Sequence, residues 1–318
     1  MVFALSFATM SKPIICIGSS VVDELFHAKE KIILASTSDA AATKTPGGVA
    51  RNIANQIALL GVPVYLISVF GNDSDSTWLK SDCESSGVNT DASLFIDGPT
   101  GKYTGILQVD GSLFAAFLTN PQHHLLTPAY MAEKAELLKT ASYIVGDANL
   151  NADTISWLVD FSKAMSIPFI IEPVSVPPAS KLANIDLNGL YMITPNEDEL
   201  PVLCKAPQND FKKTIDYLIA TGIKKVWLHN GKHGSTMVSA EGVISLHAPL
   251  VEVVDCTGAG DGSLSGFLVG KYLGKSDMDC LKIAHTLAAE ILQVNGAIAH
   301  DITQEQLLAL VPTYYPTA

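Results

Sequence analysis

Apolar positions recur along the chain in two alternating rhythms. Short unbroken runs read as strands buried on both faces: residues 13–22 (PIICIGSSVV), 64–69 (VYLISV), 143–145, 168–171, 190–193 and 225–228. Between them lie stretches with apolar residues at helical spacing. One covers 49–60 and closes on Gly61, another covers 76–86 and closes on Gly87, and two more cover 152–164 and 210–220. A glycine just past the last periodic residue accepts the left-handed backbone that ends a helix. Strand and helix in alternation imply an α/β fold: a mostly parallel sheet with helices on both faces, binding its ligands beyond the carboxyl ends of the strands.

Two segments break this rhythm. Residues 24–46 follow the first strand without a helical pattern. Residues 100–119 (TGKYTGILQVDGSLFAAFLT) hold two β-prone runs around Asp110-Gly111, a hairpin-turn pair. Neither suits a crossover helix. Both belong to a small sheet projecting from the main domain, either as a lid over a cleft or as an irregular edge hairpin. The domain is expected to be single, over residues 12–318, with 1–11 an upstream extension and Met10 an alternative start.

Composition narrows the function classes. Of 318 residues, 48% are hydrophobic and 16% charged, which is globular rather than disordered. A formal charge of −12 argues against a duplex nucleic-acid partner, which needs a basic surface. Local amides can still hold a small anion. The five cysteines (Cys16, Cys83, Cys204, Cys256 and Cys280) form no C-x-x-C pair, so neither a zinc cage nor a disulfide framework is expected. A reducing cytoplasm fits that usage. Cys256 reads as a small buried residue. No run reaches the ~18 apolar residues of a membrane span, so no membrane partner is expected.

Three elements carry candidate chemistry. In VVDCTGAGDG (253–262) a strand is expected to end near Val254, followed by a glycine-rich turn and a helix opening near Asp261. The first amides of a helix lack internal partners and the helix dipole adds positive potential, so Gly258, Ala259 and Gly260 form an anion site. Asp261 is there either a capping carboxylate or a general base beside a bound phosphate. In PGGVARNIA (46–54), Gly47 and Gly48 permit close approach of a ligand, and Asn52 can both donate and accept; a tight turn is the plain alternative. In TPNEDEL (194–200), Asn196 and Glu199 share a helix face. Glu199 can hold hydrated Mg²⁺, or the segment is simply a capped helix with an acidic first turn. Asp23, taken to close the first strand, clamps sugar hydroxyls or caps a turn. The loop Gly231–Gly234 is nucleotide-facing or a plain hairpin. His123 and His124 read as surface residues.

These elements, in this order, resemble the ribokinase-like (PfkB) family of carbohydrate and nucleoside kinases over roughly residues 13–311. PGGVARNIANQIALLG is similar to its N-terminal signature and DCTGAGDGSLSGF to its C-terminal one, where relatives usually carry Thr in place of Cys256. TPNEDEL is similar to its Asn-x-x-Glu element. Within the family, PGGVxRNIAxxxALLG, Asp147-Ala148-Asn149 and Glu172-Pro173-Val174-Ser175 resemble the pseudouridine kinases, with Glu172 standing where those have Asp. The resemblance implies a three-layer α/β/α fold with a β-strand lid, and ATP-dependent phosphorylation of the 5′-hydroxyl of pseudouridine. It leaves another nucleoside or a ribose-like sugar as the alternative acceptor, and an inactive ligand-binding protein as the alternative of a different class. Asp261 would be the base, and the amides of Gly258, Ala259 and Gly260 the phosphoryl cradle. Asp23, Gly47, Gly48 and Asn52 would hold the ribose, with Asn149, Ser175 and Lys102 reading the base. Asn196, Gly231, Gly234, Thr257 and Asn295 would line the nucleotide site. Glu199 would bind Mg²⁺ through water, Asp255 and Thr257 a K⁺ ion. A homodimer through the lid is also implied.

Overall fold

The computed structural model describes residues 12–119, 122–205 and 210–316, so the expected extension at 1–11 lies outside the described residues. Its frame is an eight-stranded sheet. In chain order the strands among the described residues are β1 (Ile14–Ile17), β2 (Val21–Ala28), β3 (Ala40–Gly47), β4 (Val64–Ile67), β5 (Val69–Phe70), β6 (Leu94–Phe95) and β7 (Lys102–Leu107). There follow β8 (Leu113–Thr119), β9 (Tyr143–Asp147), β10 (Phe169–Glu172), β11 (Met192–Ile193), β12 (Lys225–His229), β13 (Ser235–Ser239) and β14 (Gly242–Leu246). The large sheet runs β14-β13-β12-β11-β10-β9-β1-β4. Pairing is parallel from β4 to β12 and antiparallel through β13 and β14.

The three layers follow from strand alternation. Along β1, Ile14 and Cys16 join one buried cluster, with Ile53, Ile57, Phe267 and Leu287 from helices Val49–Leu59, Ala259–Tyr272 and Asp277–Leu292. Ile15 and Ile17 point to the opposite face and join Ile155, Leu158, Ile215 and Leu218 from helices Ala152–Met165 and Phe211–Ala220. Gly61 and Gly87 close their helices at φ +75 and +93, as the glycine positions predict.

The segments that broke the rhythm form a separate four-stranded sheet, β3-β2-β7-β8. The Asp110-Gly111 turn joins β7 to β8, with Gly111 at φ +81. Asp75, on helix Ser74–Ser85, is buried and pairs with Lys44 of β3 and with Lys102 of β7, the latter at 2.8 Å.

Four sequence expectations need correction. The run 13–22 is two strands in two sheets, so Asp23 lies within lid strand β2 rather than at the end of β1. No strand ends at Val254: β14 stops at Leu246, and Val253 and Val254 are 57% and 56% exposed. Cys256 is exposed, not buried. His123 is half-buried while His124 is exposed.

Candidate active site

The turns after β1 and β9 and the start of helix Val49–Leu59 converge on one carboxylate. Asp147, the last residue of β9, is 1% exposed. Its Oδ2 accepts from Ser19 N at 2.7 Å, Ser19 Oγ at 2.6 Å and Ala50 N at 3.3 Å, and its Oδ1 accepts from Asn149 N at 3.0 Å. Asp147 thereby ties the turn after β1 to the start of helix Val49–Leu59. Gly48 at φ +100 makes that junction possible, because a Cβ there would lie 2.5 Å from Ser19 O. Gly47 leaves room for Asp23: a Cβ at Gly47 would lie 2.2 Å from an Asp23 carboxylate oxygen. Burial pushes Asp23 up to about 6, with the Arg51 charge acting in the opposite sense.

Asn52 links this corner to the glycine-rich turn. Its Nδ2 donates to Asp261 Oδ2 at 2.9 Å, across 209 residues of sequence. Arg51 sets the sense of that amide by donating from Nη1 to Asn52 Oδ1 at 3.0 Å and to Pro46 O at 3.1 Å. The guanidinium also pairs with Asp82. Asp261 is the third residue of helix Ala259–Tyr272, behind Gly258 at φ +77. At Gly258 a Cβ would meet Ala297 O at 2.4 Å, whereas at Gly260 it would meet nothing within 4 Å, so the turn is packed at one end and open at the other. The first amides of that turn have no intrahelical acceptor; Ala259 N only reaches back to Cys256 O at 3.5 Å. Burial raises Asp261 to about 7, the Asn52 hydrogen bond opposes this, and the charges of Asp147 and Asp23 reinforce it. A half-buried carboxylate raised towards neutrality, set in the first turn of a helix, has the properties of a general base next to an anion site.

A second carboxylate pair lies at the end of β10 and in the turn after β11. Glu172, in register with Asp147, ends β10 and is held well above the usual carboxylate range, first by burial and then by Glu199. It accepts from Thr194 Oγ1 and from Val174 N at 3.2 Å. Val174 itself sits at φ +73, a rare conformation for a β-branched residue. Asn196 and Glu199 cap each other. Asn196 N donates to Glu199 Oε2 at 2.9 Å, and Asn196 Oδ1 accepts from Asp198 N and Glu199 N, both at 2.9 Å. The segment is a turn into the short helix Leu200–Leu203, so the capping reading of the motif is satisfied, and Glu199 is brought beside Glu172.

The remaining candidates divide. Asn149 joins the network through Nδ2, which donates to Ser19 Oγ at 3.2 Å. Lys102 is committed to Asp75. Ser175 is exposed at the start of helix Val176–Ser180. Gly231 and Gly234, at φ +52 and +99, build the turn between antiparallel β12 and β13, and a bridge between Asn196 and His229 sets that turn near Asn196. Asp255 draws two loops together by accepting from Thr257 N at 2.9 Å and Gly296 N at 3.0 Å, which brings Thr257 towards exposed Asn295. Two organisers were given no site role by the sequence: Arg51, and Asp147, which entered only as part of the Asp147-Ala148-Asn149 mark. Arg51 had a signal, a cation on the apolar face of a helix next to Asn52. Asp147 had one too, a carboxylate ending a buried strand run.

The chain is similar to known proteins over most of its length. A family model described as pfkB family carbohydrate kinase matches residues 11–304. The pseudouridine kinase of Escherichia coli (strain K12) is 29% identical over 303 residues, covering 94% of this chain and 96% of that protein. The ribokinase of Bacillus subtilis (strain 168) is 25% identical over 249 residues, covering 77% and 80%. Among solved structures, Arabidopsis thaliana ribokinase complexed with ribose and ATP superposes with a TM-score of 0.82 over 95% of this chain and 99% of that one; at 23% identity this is a likeness of fold.

Proposed function

The chain belongs to the pfkB family of carbohydrate kinases, and from that premise we propose that it transfers the γ-phosphate of ATP to the 5′-hydroxyl of pseudouridine. The observation that carries the reaction type is the 2.9 Å bond from Asn52 to Asp261 at the first turn of helix Ala259–Tyr272. It joins a hydroxyl-binding corner to an anion site through one carboxylate. What supports the acceptor is the nearly full-length likeness to a pseudouridine kinase, together with Asp147-Ala148-Asn149 at the floor of the corner.

In this mechanism Asp23, Gly47, Gly48 and Asn52 hold the ribose. Asp261 takes the proton of the primary hydroxyl as its oxygen bonds to the γ-phosphorus and the bond to ADP breaks. The amides of Gly258, Ala259 and Gly260 receive the charge on the transferring group, so the protein's work is positioning and charge stabilisation. Glu199 lies beside Glu172, and the pair offers oxygen donors of the kind that suit hydrated Mg²⁺, whose charge would favour their ionised forms. When bound there with ATP, Mg²⁺ would neutralise phosphate charge. Gly231, Gly234, Asn196, Thr257 and Asn295 would border the nucleotide, and Asp255 and Thr257 with the loop at 295–297 would hold K⁺.

One panel tests these assignments. The protein is incubated with Mg-ATP and pseudouridine, uridine, adenosine, ribose or fructose, with and without K⁺, and ADP is followed. Pseudouridine is expected to turn over fastest and K⁺ to stimulate it. Fast ribose turnover with none on pseudouridine sinks the acceptor assignment, and indifference to K⁺ sinks the role of Asp255.

The lid also has apolar residues to cover. On β8, Leu113 and Phe117 are 55% and 59% exposed, and we propose that a second copy of the chain covers them. Light scattering is expected to give the dimer mass, and Phe117→Asp the monomer mass. A monomeric wild type rejects the proposal.

A further inference from the structure

Beside Ser19 lies a cavity of about 10 Å³, room for one water-sized group, with Ser20, Ser68, Gln122 and His123 in its walls. It sits where the root of lid strand β2 meets Gln122 and His123. Most polar atoms there are spent: Ser68 Oγ donates to Gly18 O at 2.6 Å and Ser19 Oγ to Asp147. Two are not. Ser20 Oγ and Gln122 Oε1 are buried without a hydrogen-bond partner, and Ser20 is 4% exposed. Gln122 Nε2 donates to Pro99 O, so the amide oxygen is the end left for the cavity. An unpaired buried amide oxygen is costly, and a donor that reaches it recovers the cost.

The cavity lies beside the acceptor corner. Ser20 lies three residues before Asp23, and a Cβ on Gly48 would lie 2.8 Å from the Ser20 Cα. Asn149 donates to the hydroxyl of Ser19, the residue before Ser20. We propose that this cavity reads the ring of the acceptor: Gln122 Oε1 accepts a ring N–H of the base, and Ser20 Oγ shares the contact. This rests on the nucleoside reading above. An acceptor with a fixed orientation selects a donor. A uracil joined to its sugar through carbon keeps N–H groups at both ring nitrogens, whereas one joined through nitrogen has lost one of them. A methyl on the recognised nitrogen would fill the cavity and leave the amide oxygen unpaired.

The test measures kcat/KM for pseudouridine, 1-methylpseudouridine and 3-methylpseudouridine with the wild type, Ser20→Ala and Gln122→Ala. The wild type is expected to prefer pseudouridine over one methylated ring by ~10²-fold, and each variant to shrink that preference by ~10-fold. Ser20→Ala removes a hydroxyl that bonds to nothing, so it tests the inference even if Gln122→Ala, which also gives up the Pro99 contact, folds poorly. Equal use of the three acceptors by the wild type, or an unchanged preference in Ser20→Ala, overturns the inference and leaves the kinase reading standing. No turnover of pseudouridine by the wild type overturns both together.

Discussion

Asp261→Asn is expected to lower kcat by ~10²-fold or more while leaving KM for the acceptor nearly unchanged, the usual worth of a general base. The amide keeps the volume and can still bond to Asn52, but cannot take a proton. Because burial lifts Asp261 to about 7, kcat/KM of the wild type should climb with pH on a limb centred near that value, and the variant should lose the limb. The same burial has a stability signature of opposite sense. The folded value, about 7, lies above the ordinary 3.8, so the folded state binds the proton more tightly than the unfolded chain. Its contribution is fully present below the unfolded value and fades as pH rises through the folded one. Asp261→Asn should therefore gain Tm relative to the wild type, and the gap should widen between pH 5 and pH 8. Wild-type kcat in the variant removes Asp261 from the base role; a gap flat over that range removes the burial argument while leaving the kinetic one.

How far the site was legible in sequence depended on whether a residue's job is local. Gly47, Gly48, Gly258 and Asp261 act through backbone conformation and helix position, which short motifs encode. The lid was visible as a lapse in the helix–strand rhythm and as Asp110-Gly111. Asp23 was misplaced because Gly18, Ser19 and Ser20, the residues between β1 and β2, are small and buried, the first two against Asp147, so exposure does not mark the change of sheet. Val253 and Val254 have strand propensity, yet no strand of the large sheet forms there, and tertiary context overrides the local preference. Cys256 follows them into solvent. The nonlocal organisers were the hardest: the value of Asp147 lies in receiving donors from Ser19 and Ala50, far away in the chain.

Arg51 is the sharpest case of such an organiser, and Arg51→Ala is expected to cost ~3–5 kcal/mol of stability, the range for breaking a buried ion pair on one side. Its side chain is 2% exposed, and its partner Asp82, which also accepts from Asn55 Nδ2 at 2.9 Å, would be left without its cation. Chemical denaturation should show the loss as a lower midpoint with little change in slope. Activity should fall beyond what unfolding explains. Without Arg51 the Asn52 amide has no donor on its oxygen and is free to turn that oxygen towards Asp261, where it would repel the carboxylate instead of bonding to it. Arg51→Lys separates the two effects. A lysine returns the charge to Asp82 but lacks the planar fork that reaches Asp82, Pro46 O and Asn52 together. It should recover part of the stability and little of the kcat, measured where the variant is fully folded. Full recovery of kcat in Arg51→Lys would show that charge alone suffices and that the orientation of Asn52 does not run through the guanidinium.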